Sequence, residues 1–477
     1  MDSLQNYIDG KLVDPVGGQY SPVIDPSTAQ PYVMAPLSRE ADIDMACRAA
    51  LNAFDTWRMT TPAERSIALF RAADALQERK DDLVDAECRN TGKPRRVMSE
   101  DEFPPIVDHL RFYAAACRDM RGLAGGSFLS GYDSTVRREP IGVCGQVAPW
   151  NYPLNMGLWK FGPAIAAGNT VVLKPSDTTP CSTVLAAAIL GEILPPGVLN
   201  VVVGDRDTGR ALVAHPIPRL ISVTGSERAG VEVSASAAAD LKRVHLELGG
   251  KAPVLVFDDV DLATVAREIA AAAFFNAGQD CEAACRVLVA ETVHDRFVAE
   301  LVRAAGATRH GPPDDPTADY GPLNSRAHLD KVTGFFDRLP PHADVRTGGR
   351  PDESGVGYYF PPTVVTGVRQ DDELVQEEVF GPVVTVQSFR DEAEAVALAN
   401  DVRFGLAAGI WTHDHDRVVR VSAALDFGKV WVNCHLVIAA EMPNNGYKHS
   451  GNGNDVSAYA LEEYTRLKHV MTHVRSA

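Results

Sequence analysis

The sequence predicts an α/β protein with two domains, each built on a largely parallel sheet. Three observations lead there. Short β-rich runs alternate with helical segments along most of the chain, and the alternation restarts after Gly249-Gly250. Runs such as Val171-Val172-Leu173 are apolar without a break, as in strands covered on both faces. A chain of 477 residues is long enough to bury cores of that size.

Taken in order, Ile43, Cys47, Ala50, Phe54 and Trp57 recur at helical spacing. Thr61-Pro62-Ala63-Glu64 reads as a capping box with proline at the first helical position. The helix it opens is expected to run to about residue 90, with Ile67, Phe70, Leu76 and Leu83 on its apolar face. The first series then places strands at 170–173, 199–203, 220–223 and 244–248, with helices at 183–194, 207–214 and 229–239 between them. The second places strands at 254–257, 287–289, 363–365, 383–386 and 430–433, and a helix over 262–276. Residues 125–138 and 467–474 read as extended pieces outside both series.

Composition narrows the function. Hydrophobic residues make up 45% and charged residues 23%, an ordinary globular balance. A net charge of −17 argues against nucleic acid as a partner, which calls for a basic face. No run approaches the roughly 20 apolar residues that span a bilayer, and the N-terminus lacks a basic-then-apolar signal pattern, so no membrane partner is expected. Eight cysteines are scattered without a Cys-x-x-Cys pair, which points to reduced thiols and a cytoplasmic location. His413-Asp-His-Asp416 has no cysteine partner, and Cys281-x-x-x-Cys285 has no nearby histidine. No metal site is expected.

Several segments could carry chemistry. Asn276-Ala-Gly-Gln-Asp-Cys281 sets a cysteine after a turn that follows an apolar helix. Such a thiol can face a cleft as a nucleophile, although residue type alone favours a buried structural cysteine. Pro149-Trp150-Asn151-Tyr152-Pro153 holds an asparagine on a proline-bracketed loop, suited to donate to an oxyanion or simply to turn. Glu247-Leu-Gly-Gly-Lys251 places a carboxylate at a strand end between the domains, where it is a general base or a salt-bridge partner. Thr224-Gly225-Ser226 opens a helix after a strand, where backbone N–H groups suit a phosphate. Neither a Gly-x-Gly-x-x-Gly nor a Walker-type loop is present. Lys174-Pro-Ser-Asp177 follows a strand and can address ribose hydroxyls, and Glu377-Glu378-Val-Phe-Gly-Pro382 precedes another strand.

In their joint order, 149–153, 174–176, 224–226, 247–251, 278–281 and 378–382 resemble the successive motifs of the NAD(P)-dependent aldehyde dehydrogenase superfamily, with Arg286 five residues after Cys281. The resemblance spans essentially the whole chain. It implies an NAD-binding domain over 1–121 and 142–248, a catalytic domain over 249–448, and a β-strand bridging or oligomerisation segment over 122–141 and 449–477. It also implies a homodimer or homotetramer. Cys281 would attack the aldehyde, with the Asn151 amide and the Cys281 N–H holding the oxyanion and Glu247 activating water. Lys174, counted with that catalytic set, resembles the adenosine-ribose ligand. Ser176, Trp150, Gly225 and Ser226 would line the cofactor cleft, Glu378 would take the nicotinamide ribose, and Phe380 would lie beside the ring. Asp177, where many members have glutamate, favours NAD by repelling a 2′-phosphate, while its shorter arm leaves room for NADP.

Within the superfamily the chain is similar to bacterial 4-aminobutyraldehyde dehydrogenases, which implies a place in polyamine catabolism. The supporting runs are 138–146, 174–180, 244–253 and 441–443. A cationic substrate wants aromatic faces and a carboxylate. Tyr152 and Trp159, seven apart, would supply the faces, and Asp108 the carboxylate at the entry tunnel. Succinate-semialdehyde members carry arginine where Trp159 stands. The 436–440 loop and 443–451 depart from the branch, so betaine aldehyde or another small aldehyde is the alternative substrate, and a catalytically silent scaffold the alternative of another class. A Cys281–Cys285 disulfide would inactivate the enzyme reversibly.

Overall fold

The computed structural model describes residues 1–120, 122, 124–352 and 355–474. Two sheets carry the molecule. In the first, five parallel strands run in the spatial order Leu199–Val201, Thr170–Lys174, Val143–Val147, Leu220–Thr224 and Arg243–Glu247. Numbered along the chain this is 3-2-1-4-5, the doubly wound order, whose switch point lies between Val143–Val147 and Leu220–Thr224. Asn6–Ile8 and Gly451–Asn452 pair antiparallel on the two edges. The second sheet is parallel over Thr363–Thr366, Val383–Phe389, Arg286–Ala290, Pro253–Val256, Ala407–Trp411 and Lys429–Val432, with Asp344–Thr347 antiparallel at one edge.

The predicted α/β architecture is therefore present, with three differences. The helix opened by Thr61 ends at Glu78, and a second one runs from Lys80 to Thr91. The capping box itself forms, with Thr61 Oγ1 accepting from the Glu64 N–H and Glu64 returning to the Thr61 N–H. Of the expected apolar face, Leu76 and Leu83 are buried, whereas Ile67 and Phe70 are exposed and Leu69, Ala72 and Ala73 complete the buried stripe instead. Small alanines make that stripe because Phe103–Ala116 packs closely on it. Two central strands were missed, Val143–Val147 and Ala407–Trp411, because Gly145 and the alanines there lack the β-branched signature. A Cβ at Gly145 would lie 2.9 Å from Ile221 Cδ1, so the small residue is a packing requirement.

The two extended pieces join in a separate antiparallel sheet, Gly125–Leu129, Tyr132–Pro140 and Thr465–His473. Not all of 449–477 belongs to it. Gly451–Asn452 extends the first sheet, and the helix Ser457–Glu463 packs on Phe103–Ala116 and Pro153–Ala166.

The second sheet faces the first in a way that positions the site. Pro253–Val256, Arg286–Ala290 and Val383–Phe389 begin beside the C-terminal ends of the first sheet's strands, because Leu248–Ala252 connects Glu247 to Pro253 directly. Gly250 is the tightest point, since a Cβ there would sit 2.0 Å from the Cys281 carbonyl oxygen. Gly250→Ala is thus expected to destabilise the fold by about 1–3 kcal/mol through overpacking. Gly306→Ala, in a helix with open space around it, should instead stabilise by about 0.5–1 kcal/mol. Urea titration of both variants checks the contrast.

Candidate active site

Loops after Val147 and Thr224 diverge at the switch point of the first sheet, and a cavity of about 750 Å³ opens there toward the second domain. It is lined by Trp150, Asn151, Gly225, Ser226, Cys281, Glu378 and Phe380, among others. The structure thus gathers residues that lie more than 200 positions apart in sequence.

Cys281 reaches the cavity through an unusual turn. After the helix Leu262–Phe274, Asn276, Ala277 and Gly278 all take left-handed backbone angles (φ 50°, 59° and 65°). Such a run is costly for residues with a Cβ and persists only when the surroundings hold it. Gln279 supplies that hold. Its amide donates to the Asn276 and Pro322 carbonyls at 3.0 and 3.3 Å and accepts from the Asn324 N–H at 2.8 Å. Gly278 lies against the Gly381 carbonyl, where a Cβ would be 2.2 Å away.

Asn151 is anchored to the same turn. One N–H of its amide donates to the Gln279 carbonyl at 3.0 Å, which leaves the second for a ligand. Its own carbonyl accepts from Asn276 Nδ2 at 3.0 Å. Cys281 Sγ lies 4.0 Å from Glu247 Oε1. Burial pushes the Cys281 thiol up, and the carboxylates of Glu247, Asp280, Glu282 and Glu378 push it further. Glu247 is fully buried, its Oε2 has no hydrogen-bond partner, and burial likewise raises its carboxyl.

On the first domain's side, Ser226 caps the helix Glu227–Ala238 by accepting from the Ala229 N–H at 3.3 Å. Thr224 Oγ1 is buried without a partner, and the Gly225 N–H donates to the Glu247 carbonyl at 3.0 Å. Glu378 accepts from the Gly250 N–H at 2.8 Å, and a Cβ at Gly249 would come within 2.6 Å of that carboxylate. Phe380, at positive φ (62°), meets Trp150 edge-on with ring centroids 5.3 Å apart. His328 fixes it by bonding its carbonyl at 2.7 Å.

Tyr152 and Trp159 both line the cavity, as expected of them. Trp159 Nε1 donates to His109 Nδ1 at 2.9 Å, and the Tyr152 hydroxyl donates to Asp280 Oδ2 at 2.7 Å. Asp108 does not join them. It is exposed, and its neighbour His109 occupies the cavity wall because consecutive helical residues point about 100° apart. Asp101 and Glu268 supply the carboxylates at the mouth instead. Lys174, Ser176 and Asp177 also lie outside this lining, at the C-terminal end of Thr170–Lys174. Lys174 donates to the Pro175 and Gly204 carbonyls, and burial lowers it to about 8. Its amine is thus tied to backbone carbonyls and lies outside the cavity that Cys281 lines, which does not place it beside the thiol as the catalytic grouping expects. Asp177 is exposed. Cys281 and Cys285 are free thiols; the chain between them is a turn and extended residues, and Cys285 Sγ faces the Ala252 carbonyl at 4.0 Å.

Comparison with known proteins decides the family. The aldehyde dehydrogenase family model matches residues 13–470. The chain belongs to the aldehyde dehydrogenase family. An aldehyde dehydrogenase of Emericella nidulans is 39% identical over 470 residues, 97% of this chain and 94% of that one. A Bacillus cereus aldehyde dehydrogenase structure superposes with TM-score 0.97 at 34% identity, covering 99% and 97% of the two chains. The Staphylococcus aureus betaine aldehyde dehydrogenase, solved in complex with NAD+, gives TM-score 0.96 at 32% identity and covers 99% and 96%.

Sequence reasoning missed the charges that surround the aldehyde dehydrogenase's Glu247. Lys160 and Asp455 form a fully buried ion pair at 2.7 Å, from a helix and a segment 295 residues apart. Asp455 raises the Glu247 carboxyl and Lys160 lowers it. Glu282 pairs with Lys429 at 3.0 Å, and Glu102 with Lys93 at 2.6 Å. Only the fold brings these partners together, and no local pattern announces them. Lys160→Met should cost about 3–5 kcal/mol, because it strands the Asp455 charge, and Lys160→Met with Asp455→Leu should cost less than that single change. Chemical denaturation of the wild type and the two variants measures the difference.

Proposed function

We propose that the protein oxidises 4-aminobutanal or a related ω-aminoaldehyde to the acid, with NAD as the preferred cofactor, through a thioester on Cys281. The observation that carries this reading is one cavity in which Cys281, with the buried Glu247 carboxylate 4.0 Å from its sulfur, meets a carboxylate-rich, aromatic approach. Asp101 and Glu268 stand at the mouth, Asp280 within, and Tyr152, Trp159 and Phe275 along the wall. An aromatic at Trp159 offers no grip to an anionic substrate, and the carboxylates repel one.

The thiol proton of Cys281 passes to Glu247 Oε1, 4.0 Å away, as sulfur attacks the aldehyde carbon. The second N–H of Asn151 and the Cys281 backbone N–H hold the resulting oxyanion. The residues at the other end of the cavity suit a nicotinamide dinucleotide. Thr224 Oγ1 lacks a partner, and Gly249 leaves the Glu378 carboxylate uncovered. Glu378 and Phe380 would hold the nicotinamide ribose and ring, Trp150, Gly225 and Ser226 the cleft, and Lys174, Ser176 and Asp177 the adenosine ribose, with Asp177 disfavouring a 2′-phosphate. The chemistry that a bound NAD contributes is acceptance of a hydride from the hemithioacetal, leaving a thioester on Cys281. Glu247, once it has passed the thiol proton to solvent, takes a proton from water, whose oxygen attacks the thioester carbon; the acid departs and the sulfur recovers that proton from Glu247 as the thiol.

Exposed Phe128, Leu467 and Met471 on the separate antiparallel sheet support assembly of a homodimer or homotetramer through that surface.

Steady-state formation of NADH separates the substrates. Among 4-aminobutanal, 3-aminopropanal, betaine aldehyde and succinic semialdehyde, an aminoaldehyde should have the highest kcat/KM, and Cys281→Ala should abolish turnover. The highest value for succinic semialdehyde would overturn the cationic reading; for betaine aldehyde it would favour the quaternary relative. Glu247→Gln should slow the first turnover of NADH as well as the steady rate, the latter by about 10²-fold or more, because the amide accepts neither the thiol proton nor the proton of water. In the wild type the steady rate should rise with pH along a limb above the ordinary glutamate range, since burial holds Glu247 protonated beyond it. That limb should vanish in the variant, as stopped-flow traces across pH would record.

A further inference from the structure

We propose that Asp280, the residue before the nucleophile, is the counter-ion for the substrate's ammonium group. This rests on the aminoaldehyde reading above and assigns the contact that produces it.

The aromatic wall is the obvious place for a cation, and it is largely spoken for. Lys93 Nζ already lies 4.0 Å from the centroid of the Tyr152 ring, and Phe275 stacks on the same ring at 6.5 Å. Trp159 is held edge-on by His109 at 5.7 Å, with its N–H consumed there. The carboxylates at the mouth, Asp101 and Glu268, are exposed, so water screens what they offer.

The inner carboxylates differ in how they are satisfied. Glu102 is matched by Lys93 and Glu282 by Lys429. Glu378 is fastened to the Gly250 N–H on the cofactor side, and Glu247 faces the thiol. Asp280 is served only by neutral donors, the Tyr152 hydroxyl and the Glu282 N–H, each at 2.7 Å. Among the described residues it forms no ion pair, although it is partly buried on the cavity wall. A carboxylate so placed is desolvated with no cation bonded to it; burial pushes its carboxyl up, and Lys429 and Lys93, each already paired with another carboxylate, offset that only in part. An ammonium carried a few methylenes from the carbonyl bonded to Cys281 reaches this neighbour, and would supply the missing charge.

The position has a second effect. Asp280 is one of the charges that hold the Cys281 thiol high. An ammonium on Asp280 offsets that repulsion, so the charged substrate favours transfer of the thiol proton to Glu247 in a way that an uncharged aldehyde of the same length does not. Substrate charge then acts on kcat as well as on KM.

The test compares 4-aminobutanal with butanal, its uncharged counterpart, in the wild-type holoenzyme and in Asp280→Asn. The wild type should favour 4-aminobutanal, and the variant should lose that preference by roughly 10- to 100-fold in the ratio of kcat/KM values, the worth of a charge-assisted hydrogen bond. Asp280→Glu should recover part of it. Asp280→Ser removes the same charge without an amide, so misfolding of one variant leaves the comparison standing. Iodoacetamide should also alkylate Cys281 faster in the neutral variants at fixed pH, followed on the Cys281 peptide by mass spectrometry, while the buried Cys117 and Cys144 keep their wild-type rates, which a structural lesion would raise as well. Should the wild type prefer 4-aminobutanal and the neutral variants keep the preference in full, the assignment of Asp280 is overturned while the aminoaldehyde reading stands. Should the wild type show no preference for 4-aminobutanal over butanal, both fail.

Discussion

The passage of Glu247-Leu-Gly-Gly-Lys251 beneath Cys281 is the constraint on which the site depends. Two bare Cα atoms, Gly249 and Gly250, let the Glu378 carboxylate and the Cys281 carbonyl approach to where side chains would otherwise be. The segment ties the last strand of one sheet to the first of the other, so the same contact joins the domains and sets the distance between sulfur and carboxylate. The groups near the sulfur are then tied to backbone carbonyls and N–H groups through buried side-chain amides. The left-handed turn at 276–278 is held by Gln279, and Asn151 is anchored on that turn.

Electrostatics complete what packing begins. The cavity concentrates carboxylates around a thiol, an arrangement that alone disfavours a thiolate. The fold answers part of the charge with buried lysines: Lys93 against Glu102, Lys429 against Glu282, and Lys160 against Asp455. What remains is a pocket short of positive charge at the point where the aldehyde enters. Such a field draws in positively charged groups and repels anions.

Much of this was legible from local pattern, and the failures are instructive. The capping box at Thr61 formed as read, because it is a contact between residues three apart. The helix beyond it broke at Arg79, and Ile67 and Phe70 turned outward, because helical spacing identifies a stripe but not the partner that covers it. Asp108 was chosen for its charge, yet helix phase put His109 on the wall. Asp280 has no local signal beside the more conspicuous Cys281, because its hydroxyl partner, Tyr152, lies 128 positions away. Asp455 stood in a segment assigned wholly to the bridging sheet.

The order of motifs along the chain by itself pointed to the aldehyde dehydrogenase family and singled out Cys281, Glu247 and Asn151 as candidates for its chemistry. That order is one-dimensional information, and the strand–helix alternation behind it follows from side-chain periodicity alone. Which charges face which was decided only in three dimensions. Lys160 meets Asp455 across 295 positions, and Tyr152 meets Asp280 across 128. Desolvation and Coulomb energy depend on such distances and on the exclusion of water, and neither is written in the spacing of residues along a chain.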